Sequence, residues 1–232
     1  MRKKKPAGAD AKLSRAAAQR LSQYLRCLAV VGPTASSADL ARSVGVSDAQ
    51  VRRDLGALGH LGQRGVGYDV TALAAALRKT LGIDRPWRAV LAGVGNLARA
   101  LLRYRGFRQH GFEIVGLFDA DPAKIGTTVD GLTVEPIGRL AARATDLRVE
   151  LGVITVPADA AQEVADQFSA AGIVGILNFA PVLLRTPAGV VAVTVDLTVQ
   201  FEQLAFLVTR REPTAPELRP SARGGLEGRR SR

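Results

Sequence analysis

Gly93, Gly95 and Ala98, spaced as Gly-x-Gly-x-x-Ala directly after the apolar run Trp87 to Ala92, are the residues of this chain best suited to holding a phosphorylated ligand. Glycine at the first two positions lets the backbone turn tightly and approach a pyrophosphate, and a helix opening at Asn96 offers unpaired amides to it. Ala98 stands where a third glycine is usual; the task there is close packing of helix on strand, which a methyl group permits. The turn comprises Gly93, Val94, Gly95, Asn96, Leu97 and Ala98. Glu113 to Phe118 reads as the next strand, and Asp119 at its end is placed to accept from a ribose 2′-OH, with Asp121 the nearby competitor. A carboxylate there repels a 2′-phosphate, so NAD(H) is expected over NADP(H).

Two further loops, Thr155-Val156-Pro157 and Asn178-Phe179-Ala180-Pro181, follow strand ends, where ligands of open α/β sheets bind, and are expected to flank the nicotinamide half. A dehydrogenase normally adds a proton donor or acceptor there. Neither loop offers one, and Tyr104, which is read on the helix after the glycine turn, is the only titratable candidate nearby, with plain packing as its other role. A domain that binds the cofactor without turning it over fits better; the alternative is an NAD-dependent dehydrogenase with a basic appendage.

The elements that must position these residues are those of a doubly wound α/β sheet. Leu132–Val134, Glu150–Val156, Ile173–Leu177 and Val190–Val195 read as strands, with helices near Ile137–Thr145 and Ala158–Ala171. From Thr198 to Thr209 a helix carries Phe201, Leu204, Phe206 and Leu207 around much of its circumference, and so needs a partner surface, naturally a second subunit.

Charge separates this part from the residues before it. Residues 1–85 hold 15 basic and 6 acidic side chains, 86–211 hold 12 of each, and 212–232 hold 5 and 3, within a net charge of +11. A neutral cofactor module behind a strongly basic one is the charge pattern of a nucleic-acid reader joined to a metabolite sensor. Leu13 to Val31 has helical periodicity and stops at Gly32-Pro33. Ala38 to Val44 is a short helix, Gly45 the tight turn, and a second helix, capped by Ser47 or Asp48, runs to about Leu58. Small Ala41 at the crossing and inward Val46, Val51 and Leu55 make this a helix-turn-helix. Asp48, Gln50, Arg52 and Arg53 are left for solvent; Arg can read guanine and Gln adenine in a major groove. The glycine-rich stretch Gly62 to Tyr68 reads as a wing placing Arg64, beside Gly65, in a minor groove.

With 47% hydrophobic residues in 232, the chain can build one large or two modest cores. A single cysteine, Cys27, allows no internal disulfide, and Met1 to Lys5 leads into no apolar run, so a cytoplasmic protein is expected. The two histidines, His60 and His110, lie far apart, and no metal site is expected. The expected organisation is a basic arm 1–12, a DNA-binding module 13–84, a cofactor module 86–196, a dimerisation helix 197–211 and a disordered tail 212–232.

Taken together, Gln50-Val51-Arg52-Arg53-Asp54-Leu55, Arg64-Gly65-Val66-Gly67-Tyr68, Gly93-Val94-Gly95-Asn96-Leu97, Phe118-Asp119-Ala120-Asp121-Pro122, Thr155-Val156-Pro157-Ala158, Gly175 to Pro181 and Val195-Asp196-Leu197 resemble the bacterial Rex family. The resemblance runs from about Leu21 to Leu207. It implies an N-terminal winged helix-turn-helix, a Rossmann-like NAD(H)-binding domain and a C-terminal helix swapped into the partner of a homodimer. It further implies a repressor of a pseudo-palindromic, A·T-rich operator, released when NADH rises relative to NAD⁺. By the match Arg52, Arg53 and Arg64 touch DNA, and Arg26, Tyr104 and Asp196 align with a polar network joining the nicotinamide pocket to the DNA-binding half across the dimer. The chain departs from the family at Gly56 to Gly62, where aromatics usually precede the wing, and at Ala98. A closed apolar pocket of Val156, Pro157, Phe179 and Pro181 would favour the neutral reduced nicotinamide over the positive oxidised one.

Overall fold

A computed structural model describes residues 13–59, 61–63 and 65–210. The arm 1–12, the wing residue Arg64 and the tail 212–232 therefore lie outside the described residues. Helix α1 (Arg15–Leu28) is opened by the Ser14 hydroxyl, which accepts from the Ala17 N–H, and buries Leu21, Tyr24, Leu25 and Leu28 at helical spacing. It stops before Val31. After β1 (Thr34–Ala35) comes α2 (Ser37–Val44), held at its start by a reciprocal Ser36–Asp39 capping box and ended by Gly45 at φ +74°, a left-handed turn that glycine adopts without strain. Helix α3 (Asp48–Gly56) follows at once and buries Val51, Asp54 and Leu55.

β2 (Gly62–Gln63) and β3 (Gly67–Asp69) complete a three-stranded antiparallel sheet in the order β1-β3-β2, the wing expected from the glycine-rich stretch. Gly67 has φ +96°, and a Cβ there would lie 2.6 Å from the Ala35 carbonyl oxygen, so only glycine lets the wing fold back onto β1. The periodicity reading passed over α4 (Val70–Thr80), whose alanines dilute the apolar pattern; it docks through Leu73 and Leu77. These two, with Leu21, Tyr24, Leu40, Val51 and Leu55, form the core of the N-terminal module. Each fully buried leucine contributes about 1.5–3 kcal/mol.

The chain then enters a seven-stranded sheet of β4 (Trp87–Ala92), β5 (Phe112–Asp119), β6 (Thr128–Val129), β7 (Leu132–Pro136), β8 (Leu151–Ile154), β9 (Gly175–Asn178) and β10 (Val191–Thr194), in the order β10-β9-β8-β4-β5-β7-β6. Every pairing is parallel except the β6–β7 hairpin. Helices α5 (Asn96–Arg103) and α6 (Gly106–Gln109) connect β4 to β5; a 3₁₀ turn (Ile137–Arg139) and α7 (Leu140–Asp146) precede β8, and α8 (Ala158–Ala170) joins β8 to β9. On one face Phe118 and Ile154 of the sheet pack with Leu140 of α7 and Phe168 of α8; on the other Leu91 and Leu117 pack with Ala98 of α5. This is the doubly wound arrangement, and its order reverses between β4 and β8. Strands 8 and 10 are shorter than their apolar runs because Thr155 to Pro157 already turns into α8 and Val195 into the next helix.

The junction between the two modules is pinned. The Trp87 indole N–H donates to the Gly82 carbonyl at 2.7 Å, and the Arg85 guanidinium stacks 4.0 Å over the Trp87 ring while forming two hydrogen bonds of 2.6 and 2.7 Å to Glu150.

From Val195 the chain forms a separate unit containing α9 (Leu197–Thr209). The Asp196 carboxylate caps it, accepting from the Thr198 N–H at 2.9 Å. No residue of α9 is buried, and Phe201, Leu204, Phe206 and Leu207 are exposed. Among the described residues no helix is long and apolar enough to cross a membrane.

Candidate cofactor cleft and nucleic-acid interface

The glycine turn leaves β4 at the carboxyl edge of the sheet. Gly93 has φ +92°, and a Cβ there would lie 2.6 Å from Val156 Cγ1 and 2.8 Å from the Thr155 carbonyl oxygen, so glycine lets the two edge loops touch. Thr155 fixes them together, its hydroxyl donating to the Gly93 carbonyl at 2.7 Å and its backbone N–H to the Ala92 carbonyl at 2.9 Å. Gly95 differs: its backbone is extended, it opens α5 without a side-chain cap, and a Cβ would meet nothing within 4 Å. Asn96 and Leu97 begin the helix beside that open space. Buried Ala98 packs with Leu91 and Leu117, the close helix–strand contact expected of it.

Asp119, at the end of β5, is 7% exposed. One carboxylate oxygen accepts from the Val94 N–H at 2.7 Å and from Lys124 Nζ at 3.0 Å, the other from the Asp121 N–H at 2.9 Å. Burial pushes this carboxyl up, but the two backbone donors and the lysine outweigh it and hold it below the usual carboxylate range. Asp119 therefore stays ionised and braces the turn, leaving one oxygen with room for a further donor. Asp121 is more open and lies 3.7 Å from the same Lys124. The sequence reading did not single out Lys124, though its spacing from Asp119 along a turn signals it.

In the third loop Asn178 is fully buried. Its amide nitrogen donates to the carbonyls of Ala180 and Val182 and to the Thr194 hydroxyl, and its oxygen accepts from the Ala180 N–H. The side chain shapes the loop from within. Ala180 is buried too. Val156 and Phe179 are half-buried against opposite faces of the sheet, while Pro157 and Pro181 are exposed. These four line an open edge within one chain, so the closed pocket expected of them is not formed by the chain alone.

Tyr104 is the clearest departure. It is not on the helix but ends it as an extended C-cap, because Gly106 follows and the phenol ring covers that glycine. The ring is 60% exposed and packs edge-on to Phe107 at 5.3 Å between centroids. With Phe112 and Leu132, the first residues of β5 and β7, it lines a cavity of about 380 Å³. That is the amino edge of the sheet, opposite the glycine turn, so one chain does not bring Tyr104 to Thr155–Pro157.

The expected DNA-reading face lies on α3. The Ser47 hydroxyl caps the helix by accepting from the Gln50 N–H at 3.2 Å. Exposed Arg52 pairs with Asp48 at 2.6 Å and donates to the Ser37 hydroxyl at 3.3 Å. Gln50 is half-buried rather than free: its amide nitrogen donates to Asp54 at 2.8 Å and its oxygen accepts from exposed Arg53 at 2.8 Å. Gly65, at φ +81°, turns the exposed wing tip. Arg26 is exposed on α1.

Behind this face sits a group the sequence reading missed. Arg20 of α1 grips buried Asp54 with two hydrogen bonds of 2.7 and 2.8 Å, and the Tyr24 hydroxyl donates to the same carboxylate at 3.0 Å. The Arg20 guanidinium holds the Asp54 carboxyl well below its ordinary value, while burial, then the bond to Asp54, pushes the Tyr24 phenol up to about 12. An acidic residue at a core position of α3, with Val51 and Leu55 three before and one after it, was the available signal. Among the described residues no cluster of His, Cys, Asp or Glu could hold a metal ion.

Comparison with known proteins agrees with this division. A family model described as "CoA binding domain" matches residues 84–182, and one described as "Putative DNA-binding protein N-terminus" matches residues 12–56. The redox-sensing transcriptional repressor Rex of Desulfitobacterium hafniense is 48% identical over 205 residues, covering 86% of this chain and 98% of that protein. The chain belongs to the Rex family of redox-sensing transcriptional repressors. The Rex protein of Streptomyces griseus is 40% identical over 97% of this chain and 94% of its own length. Among solved structures, the Rex-family repressor RSP in complex with β-NAD⁺ and operator DNA superimposes with a TM-score of 0.80 at 31% identity, covering 86% of this chain and 94% of RSP. RSP with β-NADH gives 0.78 at 29% identity, covering 86% and 96%. The Rex fold therefore accounts for both modules of this chain.

Proposed function

We propose that this chain is a dimeric repressor that binds operator DNA through α3 and the wing and releases it on binding NADH. The observation that carries the cofactor half is the uncapped start of α5, with open space at Gly95, beside an ionised Asp119 at the end of the adjacent strand. Backbone amides from Gly95 to Ala98 hold the pyrophosphate, Gly93 and Thr155 keep the two edge loops in contact, and Asp119, with Asp121 beside it, takes the adenosine ribose. Val156, Pro157, Phe179 and Pro181 border the nicotinamide, in a loop that Asn178 and Ala180 shape. The cofactor's ring supplies the signal as a charge, positive when oxidised and neutral when reduced.

Arg52, Arg53 and Gln50 read the major groove, Arg64 and Gly65 the minor groove, and Ser47 sets the start of the helix. Arg26, Tyr104 and Asp196 meet across the dimer. The remoteness of Tyr104 from its own glycine turn supports that reading. No titratable side chain stands in the loops Thr155–Pro157 and Asn178–Pro181, and the curated relatives are transcription regulators.

The test is fluorescence anisotropy on a labelled palindromic A·T-rich duplex, titrated separately with NADH and NAD⁺. A coupling of ~1–3 kcal/mol predicts roughly 5–150-fold weaker binding with NADH, and little change with NAD⁺. Equal responses to both cofactors would remove the redox reading; no binding of the duplex would remove the repressor reading.

A further inference from the structure

We infer that Asp54, which faces the core and not the DNA, is a positioning residue for base readout: anchored by Arg20 and Tyr24, it holds Gln50 and, through Gln50, Arg53 in their reading orientation. The inference rests on the operator-binding role of α3 and adds to it a specificity determinant behind the reading face. Its geometry is a single chain of hydrogen bonds running outward from the core. Arg20 Nε and Nη2 donate to the two oxygens of Asp54, Tyr24 donates to one of them, Gln50 Nε2 donates to the other, and Arg53 Nη1 donates to Gln50 Oε1. All of these lie between 2.7 and 3.0 Å.

A glutamine amide has two N–H donors and two acceptor sites. The bonds to Asp54 and Arg53 use one of each and leave one donor and one acceptor, the two kinds of group that bond adenine N7 and N6–H. Gln50 is thus braced without being used up. Without Asp54 the amide is free to rotate, and Arg53 loses the acceptor that aims it; the fixed geometry on which discrimination between bases depends is lost. Phosphate contacts tolerate such motion, so the effect falls on specificity rather than on general affinity for DNA.

The experiment is a double-mutant cycle on the full-length protein with Asp54→Asn, Gln50→Ala and the pair, each titrated on the operator duplex and on a scrambled duplex of equal length. NADH titration and thermal melting check the fold of each variant; if Asp54→Asn does not fold, Arg20→Lys, which keeps the charge but loosens the grip, takes its place in the same cycle. The expected result is a fall of about tenfold in the operator-to-scrambled affinity ratio for Asp54→Asn, with scrambled binding within about twofold of wild type, and no further loss in the Gln50→Ala background. The inference is overturned if affinity for both duplexes falls in the same proportion, or if the two losses multiply, because either result makes Asp54 a purely structural residue. Failure of the wild-type protein to prefer the operator would instead overturn the operator-binding reading itself.

Discussion

At the level of single residues, what could be read from type and spacing was the backbone's need for room. Gly93 and Ala98 do what their spacing says, because close approach, a positive φ and small-residue packing are local requirements. Side-chain partners are not local. Asn178 was legible as a polar residue at a strand end, but the two carbonyls and the hydroxyl that occupy its amide come from a loop and a neighbouring strand. Asp119 combines both cases, its place at the end of a strand being legible in the sequence and its bond to the Val94 N–H of the glycine turn being made by the fold. Asp119→Ala therefore removes the proposed ribose contact and also takes from the Val94 N–H its acceptor, whereas Asp121→Ala removes a more exposed group. NADH fluorescence titration is expected to show at least ~10-fold weaker binding for Asp119→Ala, in line with ~1.5–3 kcal/mol for a hydrogen bond to a charged group. Asp121→Ala should change affinity by less. The reverse ranking would transfer the ribose role to Asp121.

Elements were legible wherever an apolar repeat was long and bounded by turn residues, as in α1, β4 and α8. They were lost where the repeat was made of alanine, as in α4, or where a helix ended for a tertiary reason, as α5 does at Tyr104. The tie between α1 and α3 was invisible for another reason: Arg20 and Asp54 lie 34 positions apart, and nothing in either helix alone names the partner. Its consequence appears in acid. Arg20 and the other donors hold the Asp54 carboxyl below its ordinary value, so folding and ionisation support each other. The stability this contributes is fully present above the unfolded carboxylate pKa of about 3.9 and is lost as pH falls through the lower folded value. Thermal melts from pH 6 downward should show the N-terminal module losing stability below about pH 4. Asp54→Asn, already without that contribution at neutral pH, should melt earlier at pH 6 and show a shallower acid limb. Parallel curves for the two proteins would mean that Asp54 is not the group responsible.

At the scale of the whole molecule the question is how a small-molecule edge governs DNA. The junction is not a loose linker, since Trp87 is bonded to Gly82 and Arg85 clamps Glu150 at the foot of β8. Within one chain, however, the cleft stays open and α9 presents an uncovered apolar surface. The second subunit proposed above would satisfy both needs and would also fix the distance between two recognition helices. In a duplex that distance must match one helical turn, ~34–36 Å, for both helices to enter the major groove on the same side. Inserting about 5 bp, half of a ~10.5-bp turn, between the operator half-sites should therefore abolish tight binding, while about 10 bp restores part of the correct phase at the wrong distance. A Leu204→Asp, Phe206→Asp variant of α9, checked for its oligomeric state by light scattering, should bind neither spacing well yet keep each folded module. If operator affinity proves indifferent to half-site phase, the two DNA-binding modules are not held rigidly to one another. Rotation of subunits would then have no geometric hold on the DNA, and the NADH response would have to act within a single winged helix.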